Sequence, residues 1–473
     1  MVTRAAACAT CVLVLSCGEG GAASGGGADT GSGPDIGPAG LQGDASADAT
    51  TSDAKQMDVA SDTIEESDVG TVGAPDARSD SGLIHPCQLP GTVQYTPSGV
   101  TVVDGGAPPP QLSFLHMPPG FCAHYYATVP NARQIRVAPS GEAFVTSPTG
   151  LTTGGGPGGL AAIVVLPDDN RDGTAEAPVT FLSGLPMTQG LTFAQGYLYY
   201  QADTKILRVP YVPGQRTGTG PGETVIDVQV YESGIHWPKT LDVADDGTIY
   251  VGNGGDQSET CMQPMPFHGG ILKVDGTSGG AQVAMGLRNP IAVRCSRGHD
   301  LCFALELAKD YSASAGGREK LLPIRQGDNW GFPCCATRNV PYSDVVPVPN
   351  CAGVAAEEDS FIIGDTPFGL DFEPGLWPAP YTGSAFVATH GAAGSWTGAR
   401  VVAIAVDPGT GMPQMGSNVS GQDSGAMTDF ATGWDDGTLS HGRPAAVTFA
   451  PDGRLFMTND NNGVIFWVAP LSL

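Results

Sequence analysis

Apolar and polar positions alternate in short stretches along most of this chain. From about residue 85 onward one pattern recurs, in which a few apolar residues lead into a turn containing glycine and then into a second alternating stretch. Alternation with a period of two residues is typical of β-strands, and a glycine turn between two such stretches predicts a hairpin. Six copies occur, at residues 137–145, 193–199, 243–251, 293–303, 381–388 and 449–457.

The spacing of these copies predicts how the hairpins assemble. The first four turn glycines, Gly141, Gly196, Gly247 and Gly298, are separated by 55, 51 and 51 residues. Repeats of this length with short strands are typical of β-propeller blades, which bury their faces against one another and must close into a ring. We therefore predict an all-β fold, a six-bladed β-propeller over residues 85–473. A two-sheet sandwich is the alternative, but it gives no reason for so regular a period.

The N-terminal residues follow a different pattern. Arg4 precedes an apolar run, Ala5 to Leu15, that is too short to span a membrane and is typical of a signal peptide over residues 1–16. The stretch Val14 to Cys17 resembles a bacterial lipobox, which predicts lipidation of Cys17 after cleavage. An ordinary secretory signal is the alternative. We expect an exported protein that is lipid-anchored in the bacterial cell envelope, at the outer membrane.

Residues 17–84 contain mostly Gly, Ala, Ser, Thr and Asp, with almost no large apolar side chain. Such a segment buries too little apolar surface to offset its ordering entropy, which predicts a disordered tether. From residue 18 it carries 13 acidic and 2 basic side chains, and the whole chain has a formal net charge of −26. This charge argues against nucleic-acid binding and against an anionic membrane surface, because both need Lys and Arg.

Eleven cysteines are present, of which Cys8 and Cys11 leave with the signal peptide and Cys17 is the lipidation candidate. The even number that remains predicts disulfides in an exported chain. Cys295 and Cys302 flank a short turn, so they are expected to face each other across a hairpin. The stretch from Cys334 to Ile363 is expected to be a long loop clamped by disulfides. The chain has no Cys-x-x-Cys-His motif, so a covalently attached haem is not predicted.

If the hairpins are blades, the residues before each copy lie at one end of the propeller axis. Four of these six loops carry a side chain that can donate hydrogen bonds to an anion: Arg133, Lys239, Arg288 and Arg443. The chain has only 22 Lys and Arg residues in all, so this placement indicates a small anionic ligand on the axis. Ion pairs with the many acidic residues are the alternative.

Four motifs then carry a family resemblance over residues 112–470. They are Pro118-Pro119-Gly120-Phe121, Gly286-Leu287-Arg288-Asn289-Pro290, Gly327-Asp328-Asn329-Trp330-Gly331-Phe332-Pro333, and Gly442-Arg443-Pro444 followed by Pro451-Asp452-Gly453. In this order they resemble the glucose and sorbosone dehydrogenase family of soluble quinoprotein sugar dehydrogenases. The resemblance implies a six-bladed propeller that holds pyrroloquinoline quinone (PQQ) and calcium on its axis and oxidises a sugar or its aldehyde.

The resemblance also implies roles for individual residues. His236 stands where the family has its catalytic base, and Arg288 stands where it has the arginine beside the reactive carbonyl of the quinone. Arginine and lysine suit the three carboxylates of PQQ. The residues implied as cofactor contacts are Gln189, Lys239, Asn289, Glu306, Arg400 and Arg443.

A possible metal loop lies elsewhere in the chain. Asp168, Asn170 and Asp172, followed by Gly173, match the first half of a calcium-binding loop, but Val179 replaces the glutamate of position twelve. A structural calcium site here therefore competes with an ordinary Asx-rich turn between strands.

The sequence thus predicts a PQQ-dependent sugar dehydrogenase that oxidises a sugar-like small molecule and passes electrons to a separate acceptor. The alternative is a cell-surface propeller that keeps the fold as a binding or scaffold module without the cofactor. A third possibility is a lactonase-like hydrolase with an axial calcium. The loops before the copies are richer in Arg and Lys than in carboxylates, which disfavours that hydrolase.

Overall fold

The computed structural model describes residues 84–148, 160–228, 236, 238, 240–255, 261, 269–274, 280–310, 312–355, 359–392, 395–414, 416, 423–424, 426–438 and 440–473. The predicted signal peptide, the predicted tether and Cys17 lie outside these residues, as does Lys239. No α-helix occurs among the described residues; two short 3-10 helices span Pro86–Gln88 and Ser312–Ala315. Within this part of the chain, no helix is long and apolar enough to cross a membrane.

Among the described residues, six of the seven sheets surround one axis, as predicted from the repeats, and the seventh is a two-stranded hairpin. Three N-terminal strands, β1 (Val93–Thr96), β2 (Gly99–Val102) and β3 (Phe121–Thr128), belong to the last blade. Blade one contains β4 (Ile135–Val137), β5 (Ala143–Pro148), β6 (Leu160–Leu166) and β7 (Val179–Pro186). Blade two contains β8 (Leu191–Ala194), β9 (Tyr197–Ala202), β10 (Lys205–Pro210) and β11 (Glu223–Asp227). Blade three contains β12 (Leu241–Val243), β13 (Ile249–Asn253), β14 (Gly270–Val274) and β15 (Ala281–Met285).

Blade four contains β16 (Asn289–Ser296), β17 (Leu301–Leu307), β18 (Glu319–Pro323) and β22 (Asp359–Phe361). Between its last two strands the chain forms β19 (Asp328–Asn329), which pairs in parallel with β15, and the hairpin β20 (Cys335–Thr337) and β21 (Val340–Pro341). Blade five contains β23 (Pro367–Phe372), β24 (Ala385–Thr389), β25 (Arg400–Ile404) and β26 (Met427–Ala431). Blade six contains β27 (Arg443–Phe449), β28 (Leu455–Asp460) and β29 (Val464–Pro470).

Two observations show that the ring is closed. Strand β29, at the C-terminus, pairs antiparallel with β3, so the first and last parts of the propeller share one sheet. The innermost strands β4, β8, β12, β16, β23 and β27 each contact the next, and β27 contacts β4. We call the end of the axis where these strands begin the upper mouth and the end where they finish the lower mouth.

All six sequence repeats prove to be the same structural unit, the turn between the first and second strand of a blade. Gly141 and Gly247 in these turns have φ values of 91° and 87°, a conformation that side chains with a Cβ rarely adopt. This backbone requirement explains why glycine recurs at this point of the repeat.

The core consists of six apolar clusters, one in each interface between neighbouring blades. Consecutive residues of one strand serve different interfaces: in β9, Leu198 and Tyr200 pack toward blade one, whereas Tyr199 packs toward blade three. Both faces of each blade are therefore buried, at roughly 1.5 to 3 kcal/mol for each large apolar side chain. The need to bury both faces of each blade thus explains the alternating sequence pattern and also the closure of the ring.

Four disulfides connect the eight cysteines of the described propeller: Cys87–Cys122, Cys261–Cys334, Cys295–Cys302 and Cys335–Cys351. Cys295 and Cys302 are paired residues of the β16–β17 hairpin, which confirms the prediction for that turn. The loop that begins at Cys334 contains one internal disulfide and a second one to Cys261, which confirms that it is clamped.

Candidate active site at the upper mouth

The upper mouth brings together the side chains that precede the six innermost strands. Arg133, Gln189, His236, Arg288, Asp365 and Arg443 stand directly at or before the first strands of blades one to six. The second strands of the same blades run back to this mouth, so residues at the ends of β24 and β28 join them. The predicted convergence of polar residues from distant parts of the chain therefore occurs.

His236 and the backbone of Arg288 are linked through one residue, Gly255. The Gly255 carbonyl accepts a hydrogen bond from His236 Nδ1 at 2.9 Å, and the Gly255 N–H donates to the Arg288 carbonyl at 2.6 Å. Because a carbonyl only accepts, Nδ1 carries the proton and Nε2 of the neutral ring is the basic nitrogen. His236 is fully buried. This arrangement gives the ring the tautomer that a general base needs.

Glycine at position 254 allows this close approach. A Cβ on Gly254 would lie 2.6 Å from His236 Cβ, 2.7 Å from its carbonyl oxygen and 3.4 Å from Asn289 Oδ1. The backbone of β13 therefore runs directly between the loop that carries His236 and the start of β16. Only a residue without a side chain fits there.

Arg288 is held by acidic groups of blade four. Its backbone N–H donates to Glu306 Oε1 at 3.0 Å, and its guanidinium, 5% exposed, pairs with Asp310. Glu306 Oε2 accepts from Lys320 Nζ at 2.8 Å, and both side chains are buried. The carboxylate of Glu306, implied by the resemblance as a cofactor contact, thus also anchors the start of β16.

Asp460, at the end of β28, is the centre of a second cluster. His390 Nε2 donates to its carboxylate at 2.8 Å, Arg443 donates at 3.1 and 3.2 Å, and Arg133 Nε lies at 3.7 Å. Burial opposes the charge of Asp460, but His390 and the two arginines outweigh it and hold its pKa below the usual range. Burial lowers the pKa of His390 to about 4 despite Asp460, so this ring is neutral at pH 7.

Aromatic rings support the cations of this cluster. The Arg443 guanidinium lies 4.6 Å from the ring centre of Trp396, and Arg133 lies 5.2 Å from that of Phe368. Phe368 also stacks on His390 with ring centres 4.4 Å apart. Two guanidinium groups are thus fixed in orientation at the upper mouth with one carboxylate between them, which is a donor surface suited to an anion.

Two buried acceptors remain at the same mouth. Gln189 Oε1 and Asn289 Oδ1 are inaccessible to solvent, and neither accepts a hydrogen bond from a described residue. Both lie at the start of an innermost strand, in blades two and four. A buried acceptor without a donor is costly, so these two oxygens indicate a ligand that supplies donors or a cation.

Arg400 is placed differently from the other implied contacts. It begins β25, the third strand of blade five, and its guanidinium is engaged by three carboxylates: Asp429 at 2.8 Å, Asp365 at 3.0 Å and Asp423. Protein carboxylates therefore already occupy the donor groups of Arg400 that a cofactor carboxylate would need. Lys239 lies outside the described residues.

Two carboxyl groups near Arg288 and Arg400 were not predicted from the sequence. Burial raises the pKa of Glu319, at the start of β18, to about 8, and its carboxylate accepts the N–H of Thr366. Burial raises the pKa of Asp365 to about 7, against the effect of Arg400. Asp365 precedes the innermost strand of blade five, and Glu319 begins the third strand of blade four. The repeats indicate these positions, but they do not indicate that both side chains are buried.

The Asp168 loop lies at the opposite end of the blade, in the connection between β6 and β7. Asn170 Oδ1 accepts from the Asp172 N–H at 2.9 Å, and Asp172 Oδ1 accepts from the Thr174 N–H at 2.8 Å. No group of three His, Cys, Asp or Glu side chains that could hold a metal ion occurs among the described residues. The side chains make the backbone contacts of Asx turns, which is the alternative interpretation of this motif.

Comparison with solved structures gives the same architecture. A Trichoderma reesei member of carbohydrate-active enzyme family AA12 matches with a TM-score of 0.62 at 17% identity, over 75% of this chain and 97% of the other. The PQQ domain of pyranose dehydrogenase from Coprinopsis cinerea matches with a TM-score of 0.59 at 14% identity, again over 75% and 97%. The soluble aldose sugar dehydrogenase of Escherichia coli matches with a TM-score of 0.50 at 15% identity, over 74% and 99%.

No protein-family model and no curated protein matches the sequence. The structural likenesses have low identity and extend over nearly the whole length of each solved chain, so what they demonstrate is a common fold. The chain therefore shares its six-bladed propeller with the pyranose and aldose sugar dehydrogenases, the group that the sequence motifs resemble.

Proposed function

We propose that this protein is a quinoprotein oxidoreductase that oxidises a sugar or a related alcohol or aldehyde by hydride transfer to PQQ at the upper mouth. The observation that carries the proposal is the link between His236 and the backbone of Arg288 through Gly255. It joins an imidazole with a protonated Nδ1 to a buried arginine that directly precedes β16. The fold shared with sugar dehydrogenases supports the same assignment.

The donors and acceptors of the upper mouth fit the cofactor. Arg133 and Arg443 would bind cofactor carboxylates, because their guanidinium groups are fixed by Phe368 and Trp396. The buried oxygens of Gln189 and Asn289 would accept from donor groups of the cofactor or substrate. Lys239 would add positive charge around this site, whereas the charge of Arg400 is already offset by Asp365, Asp423 and Asp429. PQQ, when bound, supplies the two-electron acceptor that no protein side chain provides.

The protein side chains would then perform three tasks. His236 Nε2 would take the proton of the substrate hydroxyl as the carbon–hydrogen bond breaks, and the Gly255 carbonyl would stabilise the resulting imidazolium through Nδ1–H. Arg288 would stabilise negative charge that develops at the mouth. The carboxylates of Glu306 and Asp310 would keep Arg288 in place.

Cofactor binding can be tested directly. The purified full-length chain is titrated with PQQ in the presence and absence of calcium, and dye reduction is followed with a panel of aldoses and polyols. We expect binding at micromolar PQQ and turnover with at least one sugar. His236→Gln should bind PQQ normally and lose turnover by roughly a thousandfold, because general-base catalysis contributes about that factor. Absence of PQQ binding in the parent protein would contradict the proposal.

A non-catalytic binding module is the second candidate. Arg400 and Arg443, both implied as cofactor contacts, are already in ion pairs with Asp365, Asp423, Asp429 and Asp460. If these pairs exclude cofactor carboxylates, the PQQ titration fails while the protein remains folded. The same experiment therefore decides between the two candidates.

We also propose that the protein is lipid-anchored in the cell envelope through Cys17, on the basis of the lipobox-like stretch before it. Cys17→Ser should abolish labelling by a radioactive fatty acid and release the protein into the soluble fraction of the envelope. Equal labelling of parent and variant would contradict the anchor.

A further inference from the structure

The lower mouth of the axis contains a second cavity, of about 810 Å³. Residues of blades one, two, four, five and six line it, so it lies on the axis itself. The charged and ionisable side chains in its lining are Arg136, Arg294, Arg297, His299, Asp371 and Glu373. The half-buried rings of Phe193, Phe372 and Phe449 belong to its apolar wall. An apolar cavity of this size with a few converging polar groups is typical of a small-molecule site.

The carboxylates near this cavity already accept hydrogen bonds from groups of the protein. Asp371 accepts from Arg294 Nε at 2.7 Å and from two backbone N–H groups, those of Phe372 and Phe449, at 2.8 Å each. Asp242 accepts from Arg294 Nη1 at 3.1 Å, from the Cys295 N–H at 2.9 Å and from Thr192 Oγ1 at 2.7 Å.

Glu373 is occupied in the same way. Its two oxygens accept from four backbone N–H groups at 2.6 to 2.8 Å, those of Gly375, Leu376, Trp377 and Gly383. The acidic side chains of the cavity are thus directed at the protein itself.

The guanidinium groups are also engaged by the protein, but each keeps part of its donor capacity. Arg136 is 5% exposed and its Nη1 donates to the Ile135 carbonyl at 3.1 Å. The Gln134 amide, with its oxygen turned toward Arg136, accepts from Nη1 at 2.6 Å and from Nη2 at 3.0 Å, whereas Nε has no hydrogen-bond partner among the described residues. Burial, with Arg294 nearby, lowers the pKa of Arg136 to about 10, against Asp371 and Asp242, so Arg136 is charged at pH 7.

The side chain of Arg297 is 48% exposed and lines the same cavity. Its Nη1 donates to the Val243 carbonyl at 3.0 Å and to Asp245 at 2.9 Å. A ligand would therefore use the other N–H groups of Arg297.

We propose that the lower cavity is a binding site for a small organic carboxylate with a flat apolar body. The carboxylate would accept from Arg136 and Arg297, since the planar guanidinium fork matches its two oxygens. The apolar body would lie against Phe193, Phe372 and Phe449. A neutral ligand of the same shape would leave the buried donor of Arg136 without an acceptor, which makes negative charge a requirement.

This site is independent of the proposed reaction. Arg288 lies at the upper mouth, directly before β16, and Cys295 lies near the lower end of that strand. The seven residues between them correspond to roughly 20 to 25 Å of extended strand. The ion pairs of Arg294 with Asp242 and Asp371 join blades three, four and five at the lower cavity. A ligand at the lower mouth therefore does not occupy the site assigned to PQQ.

Isothermal titration of the full-length protein tests the proposal, with benzoate as the probe and benzyl alcohol as its neutral counterpart. We expect saturable binding of benzoate and at least about tenfold weaker binding of benzyl alcohol, because a charge-assisted hydrogen bond is lost. Arg297→Gln should weaken benzoate binding by about tenfold. Arg136→Gln, once circular dichroism has shown it to be folded, should reduce it further.

Two control variants locate the site. Arg208→Gln changes an arginine of β10 that pairs with Glu223 outside the cavity, and Arg443→Gln changes the upper mouth. Both should bind benzoate with the affinity of the parent. The proposal is overturned if benzoate does not bind, if benzyl alcohol binds equally well, if Arg297→Gln retains the affinity of the parent, or if Arg443→Gln loses binding. None of these results depends on whether PQQ binds.

Discussion

His390 Nε2 donates a hydrogen bond of 2.8 Å to the carboxylate of Asp460, joining blade five to blade six. The imidazole is 4% exposed and stacks on Phe368, so protonation would place a third positive charge in a buried site that already holds two arginines. Burial is the largest effect on this ring, which is why its pKa falls to about 4 although an anion lies beside it. The pair therefore holds the blades together through a neutral histidine.

This relationship predicts a loss of stability in mild acid. The ordinary pKa of histidine is about 6.5, so below that pH the unfolded chain takes up a proton that folded His390 refuses until about pH 4. The contribution to the free energy of unfolding is complete above pH 6.5 and decreases by about 2 to 3 kcal/mol toward pH 4. Urea unfolding of the parent and of His390→Gln at several pH values should show a smaller decrease for the variant. Parallel pH profiles would refute this assignment.

Glu319 should act in the opposite direction. Burial raises its pKa to about 8, so between pH 4.5 and 8 the unfolded chain releases a proton that the folded protein keeps. The contribution of Glu319 to stability is therefore complete below pH 4.5 and is lost as the pH rises to 8, by roughly 5 kcal/mol. Glu319→Gln keeps an acceptor for the Thr366 N–H and removes the titration.

The measurement is the difference in unfolding free energy between Glu319→Gln and the parent. The variant should gain stability relative to the parent as the pH rises from 5 to 8. Glu142→Gln is the control, because Glu142 pairs with Arg216 in the turn between β4 and β5, at the other end of the axis from Glu319. A difference that stays constant with pH would show that Glu319 is ionised throughout this range.

The parts of the fold that follow from local pattern could be predicted from the sequence. Period-two alternation and turn glycines such as Gly141 and Gly247 gave the six blades, because both follow from the geometry of a single hairpin. The Cys295–Cys302 disulfide followed for the same reason. Cys261–Cys334 did not, since it joins two loops whose proximity depends on the closed ring.

The chemistry of the upper mouth was predictable only in part. The convergence of His236 and Arg288 followed from their equivalent positions before successive repeats. That Arg400 is surrounded by three carboxylates did not, because Asp365 and Asp423 come from two separate loops and Asp429 from β26. The position of a charged residue within a repeat can be read from the sequence. The residues that it pairs with depend on the tertiary structure and cannot.

The ion pair between Glu306 and Lys320 allows a test of whether Glu306 has a structural role that is independent of the cofactor. These residues are opposite each other on β17 and β18, and both are buried. Lys320→Met should destabilise the protein by about 3 to 5 kcal/mol, because it leaves a buried carboxylate without its cation. The double variant Glu306→Gln, Lys320→Met should recover most of that loss. If the double variant is as unstable as Lys320→Met, the pair does not account for the burial of Glu306.

Gly254 provides a test of the geometry around His236. A methyl group at this position would meet His236 Cβ at 2.6 Å and its carbonyl oxygen at 2.7 Å, so the loop that carries His236 must shift in Gly254→Ala. Displacement of a catalytic group by about 1 Å costs on the order of a hundredfold in rate. PQQ-dependent dye reduction should fall by that order. Gly353→Ala is the matched control, because a Cβ there meets no atom within 4 Å, and its activity and melting temperature should equal those of the parent. If both variants retain full activity, His236 does not act from the position in which it donates to the Gly255 carbonyl.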